Sequence, residues 1–266
     1  MLTARCDVAG RALPLSTARA WVEDAASLDA AAEEAERWGA LRAYVTPRLV
    51  AAGVDRAADM AEFVGELGHC PPRGPDGALS AVRDNAMAMR RELTAALGQW
   101  LRAEAAGLGL LLVIEDLHWA DPMTLGLLDD AWDTLGDRPV LLVATSWPDA
   151  GGTRPPLASL KGAQTIKLDP LGVRAAERLA RQVLGPERPA EDIERVARMS
   201  SGNAFLLEEI LRAAAQGAPL DAMPDSVLAV VQSRLRALPW SARRCLRAAS
   251  VFGERFREDG VAALLA

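Results

Sequence analysis

The chain has 266 residues, half of them hydrophobic, and a formal net charge of −6 with a pI near 5.1. That length holds one large domain or two modest ones, with enough apolar material for a sizeable core. The acidic balance argues against a large surface for nucleic acid or anionic membrane, either of which wants a basic excess. Cys6, Cys70 and Cys245 are far apart and odd in number, a pattern that suits neither a metal site nor a disulfide framework and favours a reducing cytosol. No stretch approaches 18 apolar residues, and no leader-like segment opens the chain, so a cytoplasmic protein is expected.

In chain order, residues 2–8 read as a short strand. Residues 15–67 are Ala-rich and helical in pattern, with breaks expected at Pro47 and Gly53. The Pro/Gly density of residues 70–77 marks a loop, where His69 beside Cys70 has no partners at ligand spacing and reads as plain loop chemistry. A long helix is then expected over residues 78–106, with Val82, Ala86, Met89, Leu93, Leu97, Trp100 and Leu101 at helical spacing.

The most informative run follows: Leu110-Leu-Leu-Val-Ile-Glu115-Asp116-Leu117-His118-Trp119-Ala120-Asp121-Pro122. A short apolar segment, suited to a strand buried on both faces, ends in two adjacent carboxylates. Acids at the exit of such a strand lie at the carboxyl edge of the sheet, where open α/β folds bind ligands. This is the layout of a Walker B element, in which one acid holds Mg²⁺ and the next orients the water that attacks a nucleotide γ-phosphate. Asp121-Pro122 is expected to cap and start the next helix, to about Leu135.

Residues 140–145 form another apolar strand, 151–156 a loop, and 164–168 a third expected strand after residue 100. From Leu171 the pattern is helical, with breaks near Gly185, Gly202, residues 217–224, Pro239 and Gly253. Strands alternating with helices and then a run of helices describe an α/β domain followed by an all-helical one. Arg243-Arg244 is read as a solvated helix face in preference to a DNA contact, and His118 as a tether in preference to a general base.

The partner of a Walker B strand is a loop reading G-x-x-x-x-G-K-[ST]. The two lysines, Lys161 and Lys167, follow Leu160 and Ile166 and precede Gly162 and Leu168, so neither is a P-loop lysine. Arginine does not substitute, because that loop wraps a compact ammonium.

Glu115-Asp-Leu-His-Trp-Ala-Asp121 closely resembles the signature of the STAND NTPases, the signal-transduction ATPases of bacterial LuxR-type and kinase- or cyclase-linked regulators. Ala4-Arg-Cys-Asp7 with Leu13-Pro-Leu15, residues 140–149, Leu168-Asp-Pro-Leu171, Ser201-Gly-Asn-Ala-Phe-Leu-Leu-Glu-Glu209 and residues 224–239 and 248–256 resemble further family segments. The resemblance implies an incomplete P-loop NTPase α/β domain over residues 1–168, with Walker B and without Walker A. A helical lid and the start of a winged-helix-like region would occupy residues 169–266. It implies ATP and Mg²⁺ as cofactors, with Glu115 as the Mg²⁺ ligand and Asp116 as the catalytic acid that polarises water. Other segments or chains of a signalling protein would be the partners, with no membrane and no nucleic acid. The P-loop of the family lies just upstream of the strand at which this chain begins.

Three departures bear on the site. The P-loop is one. The sensor arginine of the family falls where the sequence reads Thr145-Ser-Trp147-Pro, and an indole cannot donate a charged fork to phosphate. The G-N-P triplet reads Gly202-Asn-Ala204. Together they imply a degenerate or partial site, or alternatively a non-catalytic pseudo-ATPase interaction module. Trp119 and Trp147 are candidates for the lining of the old cleft.

Overall fold

A computed structural model describes the chain except residues 30–31, 75, 137, 148–156, 158–159, 221–225 and 254–255, and the side chain of residue 233. The expected loop at 151–156 therefore lies outside the described residues. The architecture is mixed α/β, mostly helical with a small parallel sheet. The chain divides into two compact units, Met1–Thr165 and Ile166–Ala266.

In the first unit, β1 (Leu2–Arg5), β2 (Leu110–Glu115) and β3 (Val140–Ala144) make a parallel sheet in the order β1-β2-β3. Register pairs Ala4 with Ile114 and Arg5 with Glu115 on one side of β2, and Leu112 with Leu142 on the other. Leu2, Ala4, Leu110, Leu112 and Ile114 face the core and are buried. The alternate face is less covered. Leu111 and Val113 are half-buried, and on β3 Leu141 is 61% and Val143 44% exposed. β2 is thus buried on one face and half-buried on the other, where its unbroken apolar run had suggested burial on both.

Helices α1 (Val8–Arg11), α2 (Ser16–Ala26), α3 (Glu34–Ala51), α4 (Ala57–Leu67), α5 (Ala78–Val82), α6 (Ala86–Glu104) and α7 (Pro122–Trp132) complete this unit. Trp21, Phe63 and Trp100 are fully buried in the core they share with the sheet. Pro47 lies inside α3 instead of ending it. Leu41, Val45 and Leu49, fully buried on one face, hold the helix through a residue that removes one amide. The long helix expected over 78–106 is two, because Asn85 caps α6 by accepting the Ala88 amide at 3.0 Å. α6 packs closely on the turn that follows α7 at Gly98, where a Cβ would sit 2.7 Å from Thr134 Oγ1.

Asp121 is the polar centre of the unit. Its carboxylate is fully buried and accepts the amides of Leu15 at 2.9 Å, Thr17 at 2.9 Å and Thr124 at 2.8 Å. It therefore caps α7 in the expected way and also the start of α2. The Leu15 amide comes from a left-handed residue, φ 64°, a conformation rare for a bulky side chain. Burial alone pushes the Asp121 carboxyl up, but the donors from Thr124 and Thr17 outweigh it and hold its pKa below the ordinary value.

In the second unit, α8 (Val173–Leu184), α9 (Ala190–Met199) and α10 (Ala204–Ala215) enclose a separate core around Ala180, Val196 and Ile210. α11 (Val227–Ala237), α12 (Trp240–Ala249) and α13 (Glu258–Leu265) follow. Arg234 of α11 pairs with the buried Glu209 of α10. Residues 164–168 are not a strand. They are exposed irregular backbone, and no strand of the sheet pairs with them. An alternation of apolar residues becomes a strand only where a neighbour accepts its ladder.

Asp121→Ala leaves the Leu15, Thr17 and Thr124 amides without their acceptor in a dry site, and the expected loss of stability is about 3 kcal/mol. Chemical denaturation of the first unit's near-UV signal measures it. Because the folded pKa is depressed, the Asp121 contribution is present above the unfolded value near 4 and is lost as pH falls through the lower folded one. The wild-type denaturation midpoint should therefore fall below pH 4 by a larger amount than that of Asp121→Ala.

Candidate functional site

The sheet carries its chemistry at the carboxyl ends of β2 and β3. β2 ends at Glu115, and Asp116 turns the chain into a short 3₁₀ turn, Leu117–Trp119, that leads to the Asp121 cap. Asp116 adopts the left-handed region at φ 56°, which aspartate tolerates better than most residues. Thr145, the residue after β3, holds it there. The Asp116 amide donates to Thr145 Oγ1 at 3.2 Å, the Leu117 amide to the Thr145 carbonyl at 2.8 Å, and the Thr145 amide to the Ile114 carbonyl at 2.9 Å.

The two acids are thus adjacent at the carboxyl edge, but their surroundings differ. Glu115 faces its register partner Arg5 across β1–β2, with Nε to Oε2 at 3.6 Å. Both side chains are about half exposed, so the pair adds little stability, yet it puts a cation against the expected metal ligand. Asp116 lies one residue further on, where Thr145 binds its backbone and not its carboxylate.

His118 is a tether on both of its sides. Its carbonyl accepts from Arg11 Nη1 at 3.2 Å, and its Nδ1 accepts from the Trp147 amide at 3.4 Å. Arg11 also sits 5.8 Å from the Trp119 ring centroid, so Arg11, His118 and Trp119 lock the loop after the acids to the end of α1. Trp119 is partly buried against the core, while Trp147 is 74% exposed.

His69 donates to or accepts from no metal-type cluster. Its Nε2 lies 2.9 Å from the Pro14 carbonyl, and Cys70 beside it is buried with its thiol pKa pushed up by burial. The buried Cys6 thiol, near Thr17, is pushed up to about 11, again by burial first. Neither is an activated thiolate. Among the described residues no group of three or more His, Cys, Asp or Glu side chains could hold a metal ion. Glu115 and Asp116 are hard oxygen donors of the kind Mg²⁺ takes one or two at a time, with water and substrate phosphate completing the shell. Two such carboxylates would supply part of a shell of that kind. No glycine-rich lysine loop occurs in these 266 residues.

In the second unit two sequence motifs meet. The Leu171 amide donates to the Gly202 carbonyl at 2.8 Å, and Gly202, at φ 78°, leaves room for Pro170, which a Cβ would meet at 2.8 Å. Asn203 caps α10 through the Leu206 amide at 3.0 Å. Arg5 opposite Glu115 and Thr145 behind Asp116 went unseen in the sequence. Both follow from strand register, and only the apolar runs flanking them could have signalled it.

No family model matches the chain, and no solved structure matches it. An uncharacterized protein of Rhizobium meliloti (strain 1021) is 30% identical over 210 residues, covering 72% of this chain and 20% of the relative. The chain thus spans about a fifth of the length of the curated relative it matches. Among the described residues no helix is long and apolar enough to cross a membrane.

Thr145→Val removes the hydroxyl that accepts the Asp116 amide and keeps the side-chain volume. Amide exchange at Asp116 should accelerate about fivefold, the equivalent of one hydrogen bond near 1 kcal/mol, with Thr145→Ser restoring it. Site-resolved hydrogen exchange reads this directly.

Proposed function

We propose that this chain is a degenerate copy, or a part, of an ATP-binding STAND signalling switch, an AAA ATPase-like domain of a bacterial regulator acting in the cytoplasm. The observation that supports this reading is the placement of Glu115 and Asp116 at the carboxyl end of β2, beside the exit of β3. In that reading Glu115 assists Mg²⁺, Asp116 orients water, and the helical second unit is the lid. A bound Mg-nucleotide would supply the phosphate that completes the metal shell. The Arg5 guanidinium competes with the metal for Glu115, and Thr145 sets where the Asp116 backbone stands. A second reading is a non-catalytic pseudo-ATPase module that binds another segment or chain of a signalling protein. The Arg5–Glu115 pair and the indole of Trp147 at the sensor position favour it.

The chain by itself should show no heat of Mg-ATP binding up to about 1 mM nucleotide in calorimetric titration. The amides and lysine that cradle phosphate supply most of that affinity elsewhere. Micromolar binding would overturn the account of the missing half-site. In a longer protein that joins a G-x-x-x-x-G-K-[ST] segment to this chain, Asp116→Asn should lower hydrolysis about a hundredfold while nucleotide affinity changes little. Equal loss of both, or loss of neither, would favour the non-catalytic reading.

A further inference from the structure

A cavity bounded by α6, the end of α7 and the turn after it carries an inference that does not depend on nucleotide chemistry. It encloses about 610 Å³, within the range of small-molecule sites, and shares no residue with the carboxyl edge of the sheet. Gln99 lines it, and its Oε1 is buried and meets no donor among the described residues. A buried acceptor left without a hydrogen is costly unless something else supplies one. A hydroxyl both donates and accepts, so it satisfies that position whichever way the amide stands. The charged lining is three arginines, Arg90, Arg91 and Arg102, against one acid, Asp130. Arg90 is paired with Asp130 at 2.6 Å, and Arg102 donates to the Thr134 carbonyl. The Arg91 side chain is 77% exposed, and the Glu92 carboxylate it meets at 3.3 Å is shared with Arg56 at 3.5 Å. The balance of the lining is positive, and the planar forks of arginine match a carboxylate.

We propose that this cavity binds a small organic acid that carries a hydroxyl at the far end of an apolar body. The carboxylate lies on Arg91 and the hydroxyl on Gln99. Along α6 these two residues stand about two turns, or about 12 Å, apart. A carboxylate and a hydroxyl at opposite ends of one aromatic ring, each with a hydrogen bond of about 3 Å, span that distance. The hydrocarbon stems of the arginines, with Met87 and Ala95, form the wall against which the ring lies. A polypeptide segment is a poorer match. A docking helix needs a stripe of apolar anchors, and the only apolar side chains in this lining, Met87 and Ala95, are themselves two turns apart. A docking strand needs a free ladder, which a helix face does not offer.

Titration of the full, isotope-labelled chain with 4-hydroxyphenylacetate, followed by NMR, should give saturable shifts of the Gln99 side-chain amide and of the α6 amides around it. The expected Kd is about 0.1–1 mM, as suits so small a molecule. Phenylacetate, which lacks the hydroxyl, and 2-(4-hydroxyphenyl)ethanol, which lacks the charge, should each bind about tenfold more weakly. Gln99→Met keeps the volume and removes the acceptor. It should lower 4-hydroxyphenylacetate to the affinity of phenylacetate and leave phenylacetate itself unchanged. Arg91→Gln, at an exposed position, should weaken both acids about tenfold and leave the neutral alcohol unchanged. These selective losses separate a ligand contact from a change in folding, which would weaken all three compounds alike. Four results would overturn the proposal. The first is no saturable shift at Gln99 up to about 20 mM. The second is equal affinity for the three compounds, the mark of an unspecific apolar surface. The third is either variant weakening all three alike or none of them. The fourth is an oligoglutamate peptide that displaces 4-hydroxyphenylacetate at a lower concentration than the free acid needs, which would assign the cavity to an acidic polypeptide segment.

Discussion

The first unit depends on one buried carboxylate. Asp121 sits where the chain returns from the sheet's carboxyl edge and turns into α7, and it satisfies the first free amides of two helices at once. Because one donor is Leu15 in a left-handed conformation, the carboxylate also holds a strained entry to α2 in place. The loop after β1 and the loop after β2 are thereby fixed to each other through a dry ionic group. Arg11 reaches the His118 carbonyl across the same gap, so the segment between Glu115 and Asp121 is pinned at both ends. The position of the two acids follows from this clamp and from Thr145, not from any interaction of their own side chains with the core.

A parallel strand normally finds neighbours on both edges and cover on both faces. β2 has both edges paired, and its core face is fully buried. Among the described residues β3 has one edge paired, and it presents Leu141 and Val143 outward. The asymmetry puts the less complete side of the sheet beside the acids, since Thr145 continues β3 directly to Asp116. Whatever lies along β3 therefore also bears on the geometry of Asp116, because a shift of β3 along its axis moves the Thr145 hydroxyl and carbonyl together.

Local chemistry was legible in the sequence, and non-local pairing was not. Asp121-Pro122 names its own helix start, since a short acceptor before a residue that lacks an amide has few other uses. Residues 110–115 and 140–144 announce themselves as strands through apolar runs bounded by turns, whereas the strand expected over residues 2–8 stops at Arg5 and gives way to α1 at Val8. Residues 164–168 carry only a short apolar alternation and form no strand, because a strand is defined by a neighbour and Ile166 and Leu168 face solvent. Pro47 misleads in the opposite sense: the burial of Leu41, Val45 and Leu49 outweighs one lost helical hydrogen bond. Asn85 caps α6 inside a pattern that otherwise reads as one continuous helix. The Asp121 contacts to Leu15 and Thr17 span about a hundred positions and leave no local mark.

The same distinction governs the acid pair. An apolar strand ending in two carboxylates describes position, whereas the charge each carboxylate meets decides its use. Glu115 points to the β1 side of its strand, where the register supplies Arg5, and a carboxylate with a guanidinium beside it binds a dication less readily. Asp116 has its backbone fixed by Thr145 and its carboxylate left outside that contact. A metal brought to this edge by phosphate would have to displace Arg5 to use Glu115. The two neighbouring acids are therefore unequal, and the inequality is set by β1, the strand most distant in the sheet from β3.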